Sequence, residues 1–178
     1  MSTLLQRLRA FTRIVATGVF AGVVYGLVHD QITAHLCVEY FTVGHPRIVE
    51  TESPLVLGLL WGVIATWWAG AILGALLGFA ATLGPWPSVP PQQFHRPVLR
   101  LLGAMALGAA IMGLLGYVLA QKGQLYLLPW LITTIHPTDP AIYQAVWFAH
   151  NASYGLAALG ALTLSAKTLV GRVRAARA

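Results

Sequence analysis

Four long apolar stretches, at about 14–33, 55–83, 98–120 and 141–165, decide most of what this chain can fold into. Each is long enough to cross about 30 Å of hydrocarbon as a helix, and the second can cross it tilted. An open sheet would leave edge groups unpaired in lipid, and the stretches lack the alternation of a barrel strand, so helices are the expected form. Composition agrees. Of 178 residues 57% are hydrophobic and 9% charged, against roughly 25% charged in a typical globular domain, which excludes a large soluble catalytic domain. The expectation is an all-α membrane protein. A four-helix transmembrane bundle forms a single domain over 1–178, with outer loops at about 34–54 and 121–140.

The eleven Lys and Arg outweigh five Asp and Glu, and the resulting pI near 10 invites a nucleic-acid reading. Their positions argue otherwise. Arg7, Arg9 and Arg13 precede the first span, Arg96 and Arg100 lie between the second and third, and Lys167, Arg172, Arg174 and Arg177 follow the fourth. The positive-inside rule assigns that side, and with it both termini, to the cytoplasm. Arg47 and Lys122 fall in the outer loops, and all five acids (Asp30, Glu39, Glu50, Glu52 and Asp139) belong to the outer half. The basic excess therefore orients helices, and the expected partners are the lipid bilayer and other membrane subunits or copies of the chain, with no nucleic acid. The start resembles a signal peptide in outline but lacks a small-x-small cleavage site, so it reads as an uncleaved first span. The single cysteine, Cys37, has no second cysteine for an intramolecular disulfide or a CxxC motif.

Small residues mark expected packing faces. Gly18, Gly22 and Gly26 recur every four residues in the first span and Gly70, Gly74 and Gly78 in the second, while Gly103, Ala106, Ala110 and Gly113 run along the third. Such rows let helix backbones approach in lipid, where no hydrophobic effect draws helices together. The inner loop from Gly84 to Pro91 reads as an extended, semi-rigid connector, and the outer segments read as a packed cap. Trp61, Thr66, Trp67 and Trp68 either line a pocket or face lipid or a partner; Tyr117, Trp130 and Trp147 read as interfacial anchors.

Five of six histidines (His29, His35, His45, His136 and His150) share the outer half with the acids, and His95 alone lies inside. His29 is sixteen residues beyond Arg13, and His150 is seventeen before Lys167, which sets both roughly 24 to 26 Å above the basic anchors. Gly22, Tyr25, Gly26, His29, Thr33 and Tyr40 share one face of the first helix; Tyr143, Trp147, His150 and Tyr154 share one face of the fourth, with Asn151 beside it. Intramembrane ionisable residues are costly and turn towards a partner, a cavity or a cofactor. Three readings compete. One is a hydrogen-bonded layer of His29, Asp30, Asn151 and tyrosine hydroxyls that fixes helix register. Another is a transition-metal site for copper, zinc or iron, with His29 and His150 as ligands, Asp30 or Glu39 adding an oxygen, and Asn151 supporting them from behind. The last is a b-type haem with His29 and His150 as axial ligands.

A second constellation runs from His35 through Cys37, Glu39 and Tyr40 to His45 and Pro46. If the first helix continues to about Tyr40, His35 and Glu39 stand one turn apart and can chelate one ion, and Gly44 and Pro46 can return His45 to it. The plainer alternative is an interfacial helix end whose Tyr40 and Phe41 belong to the aromatic belt. Other chemistries lack their residues: there is no GxSxG, no glycine-rich phosphate loop and no HExxH. Ser153, near His150, has no acid in place to make it a nucleophile.

The segments Val28-His29-Asp30-Gln31-Ile32-Thr33, Cys37-Val38-Glu39-Tyr40-Phe41-Thr42, His45-Pro46, Ser53-Pro54 and Trp61-Gly62-Val63-Ile64-Ala65-Thr66-Trp67-Trp68 resemble an uncharacterised group of small bacterial four-span proteins. The resemblance covers less than a quarter of the chain. It implies a bacterial inner-membrane protein and carries no activity. It also favours His29, Asp30, Glu39, Tyr40 and His45 as site residues over His35 and His136. The function expected from the sequence is metal binding at an outward-facing site (His29, Asp30, Glu39, His45, His150) for transport, delivery or redox use. The alternatives are an accessory subunit of a larger membrane complex and a b-type cytochrome.

Overall fold

The computed structural model describes residues 4–126, 133 and 138–177, and no strand occurs among them. Four helical stretches are long and apolar enough to cross a membrane: Leu4–Leu36, Pro54–Thr82, Pro91–Gln121 and Pro140–Ala175. The first, third and fourth extend past their apolar cores at both ends, because the flanking Arg, Gln and Thr residues are also compatible with helix, while the second matches the apolar stretch within a residue. In chain order the helices are α1 (Leu4–Leu36), a single turn α2 (Glu39–Thr42), α3 (Pro54–Ile64), α4 (Trp67–Thr82), α5 (His95–Gln121) and α6 (Pro140–Ala175).

The second span is interrupted. Between α3 and α4 the backbone loosens at Ala65 and Thr66, where the Thr66 hydroxyl turns back to the Gly62 carbonyl (2.5 Å). This is where α1 crosses most closely. A Cβ on Gly26 would lie 2.3 Å from the Gly62 carbonyl oxygen, one on Gly18 2.5 Å from that of Gly70, and one on Gly70 2.4 Å from that of Gly18. The glycine rows of the first two spans thus face one another, backbone against backbone. The row expected on the third span is partly misplaced. Ala106 and Ala110 are exposed, and the close approaches to α6 come at Gly108 against Leu156 and Gly116 against Phe148. Small residues identify candidate faces, but only the rotation of the helix says which face meets a neighbour.

α1 packs on α3 and α4, α5 packs on α6, and α4 joins the pairs through α6, whereas α1 makes little contact with α5 or α6. At the basic end, two arginines clasp the C-terminus of α4. Arg7 donates to the carbonyls of Thr82 (3.1 Å), Gly84 and Trp86 (3.3 Å). Arg172 donates to those of Ala80 (2.6 Å), Pro87 (2.7 Å) and Trp86 (3.1 Å) and lies over the Trp86 ring. Unpaired carbonyls at a helix end attract cations, and here guanidiniums from both terminal helices satisfy them. At the other end, Asp139 caps α6 by accepting from the amides of Ala141 (2.8 Å) and Ile142 (3.1 Å), with Pro140 at the first helical position.

Candidate metal centre

His29 and Asp30 lie about two turns before the end of α1, and His150 lies on the facing side of α6. One ligand atom from each falls within 4.8 Å of the other two. Asp30 and His150 are buried and His29 partly so. The imidazoles meet edge to face with ring centroids 4.5 Å apart. One turn towards the basic end, Tyr25 stacks on His29 at 5.5 Å. Its hydroxyl pairs with Ser153 Oγ at 2.7 Å, and since Ser153 donates to the Ala149 carbonyl (3.0 Å), Tyr25 is the donor.

The hydrogen bonds fix the state of His150. Thr33, one turn beyond His29, donates its hydroxyl proton to the His29 carbonyl (3.1 Å), so its oxygen accepts from His150 Nε2–H at 3.2 Å. In that tautomer the lone pair of His150 resides on Nδ1, with the opposite N–H held as ligating histidines usually hold it. His29 Nε2 is buried and has no hydrogen-bond partner among the described residues. The Asp30 carboxylate, in a residue only 4% exposed, receives none of the described hydrogen bonds. An unsatisfied buried donor or acceptor costs about 1–3 kcal/mol. A cation held between the imidazole and the Asp30 carboxyl would offset that cost at His29.

The outer end of the site is aromatic. The Tyr40 ring stacks on His150 at 4.5 Å and meets His45 at 5.0 Å; His45 stacks on Phe41 at 5.6 Å and tilts against Trp61 at 4.6 Å. His45 Nδ1–H donates to the Tyr40 carbonyl (2.8 Å). The Tyr40 ring thus stands between His45 and the cluster, and His45 is no part of the three-residue group. Burial holds its pKa below the ordinary value, partly offset by the bond to that carbonyl. Burial also raises the Tyr40 phenol and pushes the Cys37 thiol up to about 12.

Glu39 is placed elsewhere. α1 stops at Leu36 and the chain turns at Cys37 before starting α2, so the register linking His35 to Glu39 is broken. His35 is exposed and bonds the Gln31 carbonyl (2.7 Å). Glu39 accepts from Cys37 Sγ (3.6 Å), and a hydrogen bond with Thr138 holds its carboxyl below the usual range. No chelate of His35 with Glu39 forms, and Glu39 stays outside the deep cluster. Asn151 also departs from expectation. It is exposed and bonds the Trp147 carbonyl (2.7 Å), because one residue along a helix turns it about 100° from His150. His95 is exposed, and His136 and Trp130 lie outside the described residues. Trp67 and Trp68 are about half-exposed on the outside of the bundle, while Trp61 is buried against His45.

Two cavities meet at His29. A narrow one of about 120 Å³ runs down the bundle axis, with Tyr25, His29, Asp30, His150, Ser153 and Tyr154 at its polar end and aliphatic side chains along the rest. A groove of about 550 Å³ between α1 and α5 opens to the side and also reaches Tyr25, His29 and Thr33. Two contributors went unassigned in the sequence. Thr33 was visible only as a residue on the His29 face. Gln144 is fully buried: its Nε2 donates to the carbonyls of Gly116 (2.9 Å) and Gln124 (3.1 Å), and its Oε1 accepts from the Tyr126 amide (2.6 Å). An amide inside an apolar span was the available signal, since such a group must find partners within the protein. Comparison of the chain with protein-family models, curated proteins and solved structures finds no match.

Proposed function

We propose that this chain is a bacterial inner-membrane protein that binds one transition-metal ion at His29, Asp30 and His150, for transport, delivery or redox use. The observation that carries the reading is the convergence of the three ligand atoms within 4.8 Å around a buried imidazole nitrogen with no described partner. Two imidazoles and one carboxylate suit zinc, copper or iron, and a set of three protein ligands leaves a coordination position open, as reactive or exchanging sites require. That position would face the apolar cavity and side groove. Both termini would be cytoplasmic, with the cluster on the outward half, as the distribution of Lys and Arg supports.

The same geometry counts against a haem. Axial imidazoles face one another across the macrocycle, whereas these two touch edge to face. Gly26, whose lack of a side chain would have helped make room, is pressed against the Gly62 carbonyl and Thr66. Metal analysis of the purified protein after loading tests the proposal. We expect one equivalent of metal in the wild type and loss in His29→Ala and His150→Ala, both with helix content retained. Thr33→Val, which removes the hydrogen bond to His150, should weaken affinity roughly 10- to 100-fold. A metal-free wild type, or equal retention in both histidine variants, would refute the assignment.

A further inference from the structure

At the basic end, away from the metal centre, a pocket of about 400 Å³ is bounded by Arg9 and Arg13 of α1 and by Ser88, Pro90, Pro91 and Gln92 of the connector before α5. Four arginines at this end divide into two pairs. Arg7 and Arg172 are committed to backbone carbonyls of the connector and of α4. Arg9 and Arg13, one turn apart on α1, are exposed, and none of the described hydrogen bonds or ion pairs engages their guanidiniums, the Ser88 hydroxyl or the Gln92 amide. No acid lies near enough to serve. Asp30, Glu39, Glu50, Glu52 and Asp139 all belong to the opposite half of the molecule.

The wall facing these arginines is fixed in advance. The Val89 amide donates to the Ala81 carbonyl (3.0 Å), two prolines lock their φ angles, and Phe94 is buried against Ile14, Leu77 and Ala81. Two guanidiniums, which can only donate, together with a hydroxyl and a carboxamide able to donate, suit a phosphate, which arginine binds bidentately. One turn and two turns beyond Arg13 on the same row of α1 come Ala16 and Phe20, both exposed, Phe20 by 72%. That strip suits an acyl chain and serves no purpose for a free anion. From this charge complementarity and the apolar continuation, we propose that Arg9 and Arg13 hold the phosphate of an anionic membrane lipid whose chain lies along Ala16 and Phe20.

The test uses the full-length protein in neutral phosphatidylcholine nanodiscs, with lipid binding read by native mass spectrometry. Phosphatidylglycerol should be retained in preference to phosphatidylcholine. The double variant Arg9→Ala/Arg13→Ala should weaken that retention roughly 10- to 30-fold, as expected for two arginines at an anionic surface. Arg96→Ala/Arg100→Ala, an equal loss of charge at exposed positions outside the pocket, should leave retention unchanged. Equal weakening in both double variants would overturn the proposal in favour of general surface charge. Displacement of phosphatidylglycerol by millimolar inorganic phosphate would overturn it in favour of a free-anion site, and absence of any preference between the two lipids would overturn it outright.

Discussion

Single residues in this protein acquire their roles from neighbours that the chain order conceals. His29 and His150 are 121 positions apart, yet counting rise per residue from the basic anchors puts them at one depth, and in the structure their rings touch. His45 shows the limit of such counting. It follows Gly44 and precedes Pro46, where no helical register applies, so nothing in the sequence tells that the Tyr40 ring intervenes between it and His150. Its depressed pKa gives a measurable consequence. Because the folded segment binds a proton less readily than the unfolded one, the stabilisation is complete above the unfolded value of 6.5 and is lost as pH falls from 6.5 towards the folded value. Glu39 acts in the same direction lower down: its contribution is present above 4.5 and lost as pH falls through its lowered folded value. Melting temperatures measured between pH 7.5 and 5 should therefore fall for the wild type by more than for His45→Gln. A difference between the two that does not vary with pH would contradict this account of His45.

Helices were legible as elements because hydrocarbon leaves the backbone no alternative, and the apolar stretches had the right length. Their rotations were less legible. The rows of Gly18, Gly22 and Gly26 and of Gly70 and Gly74 do meet, since small residues at four-residue spacing leave one obvious face on each helix. On α5 small residues occur on more than one side, and the sequence cannot choose among them. Substitutions should divide accordingly. Gly70→Leu drives a side chain into the Gly18 carbonyl, where a Cβ alone would lie at 2.4 Å, and should cost about 3 kcal/mol or more of stability. Gly103→Ala meets nothing within 4 Å and should be neutral or stabilising by up to about 1 kcal/mol through helix propensity. Unfolding in mixed micelles by increasing dodecyl sulfate would measure both. A tolerated Gly70→Leu would mean that α1 and α4 do not cross as described.

For the molecule as a whole, the proposed orientation gives a labelling experiment for which the native cysteine is well suited. Cys37 is buried, and its thiol is pushed up to about 12, so it carries almost no thiolate at neutral pH and should stay silent towards maleimides. In intact spheroplasts an impermeant maleimide should label Glu50→Cys, whereas Ser88→Cys should label only after permeabilisation. The reverse pattern would invert the topology and place the His29, Asp30 and His150 cluster towards the cytoplasm. What the sequence determined by itself was the set of four helices, their expected orientation and the depth of each ionisable group. These depend on position along the chain: hydrocarbon thickness fixes helix length, and the rise per residue fixes depth. What only the tertiary structure decided was the company each group keeps. It joined His29, Asp30 and His150, separated them from Glu39, His45 and Asn151, and placed Thr33 behind His150. Those outcomes depend on helix rotation and on a break at Cys37, and both are set by packing between segments distant in sequence.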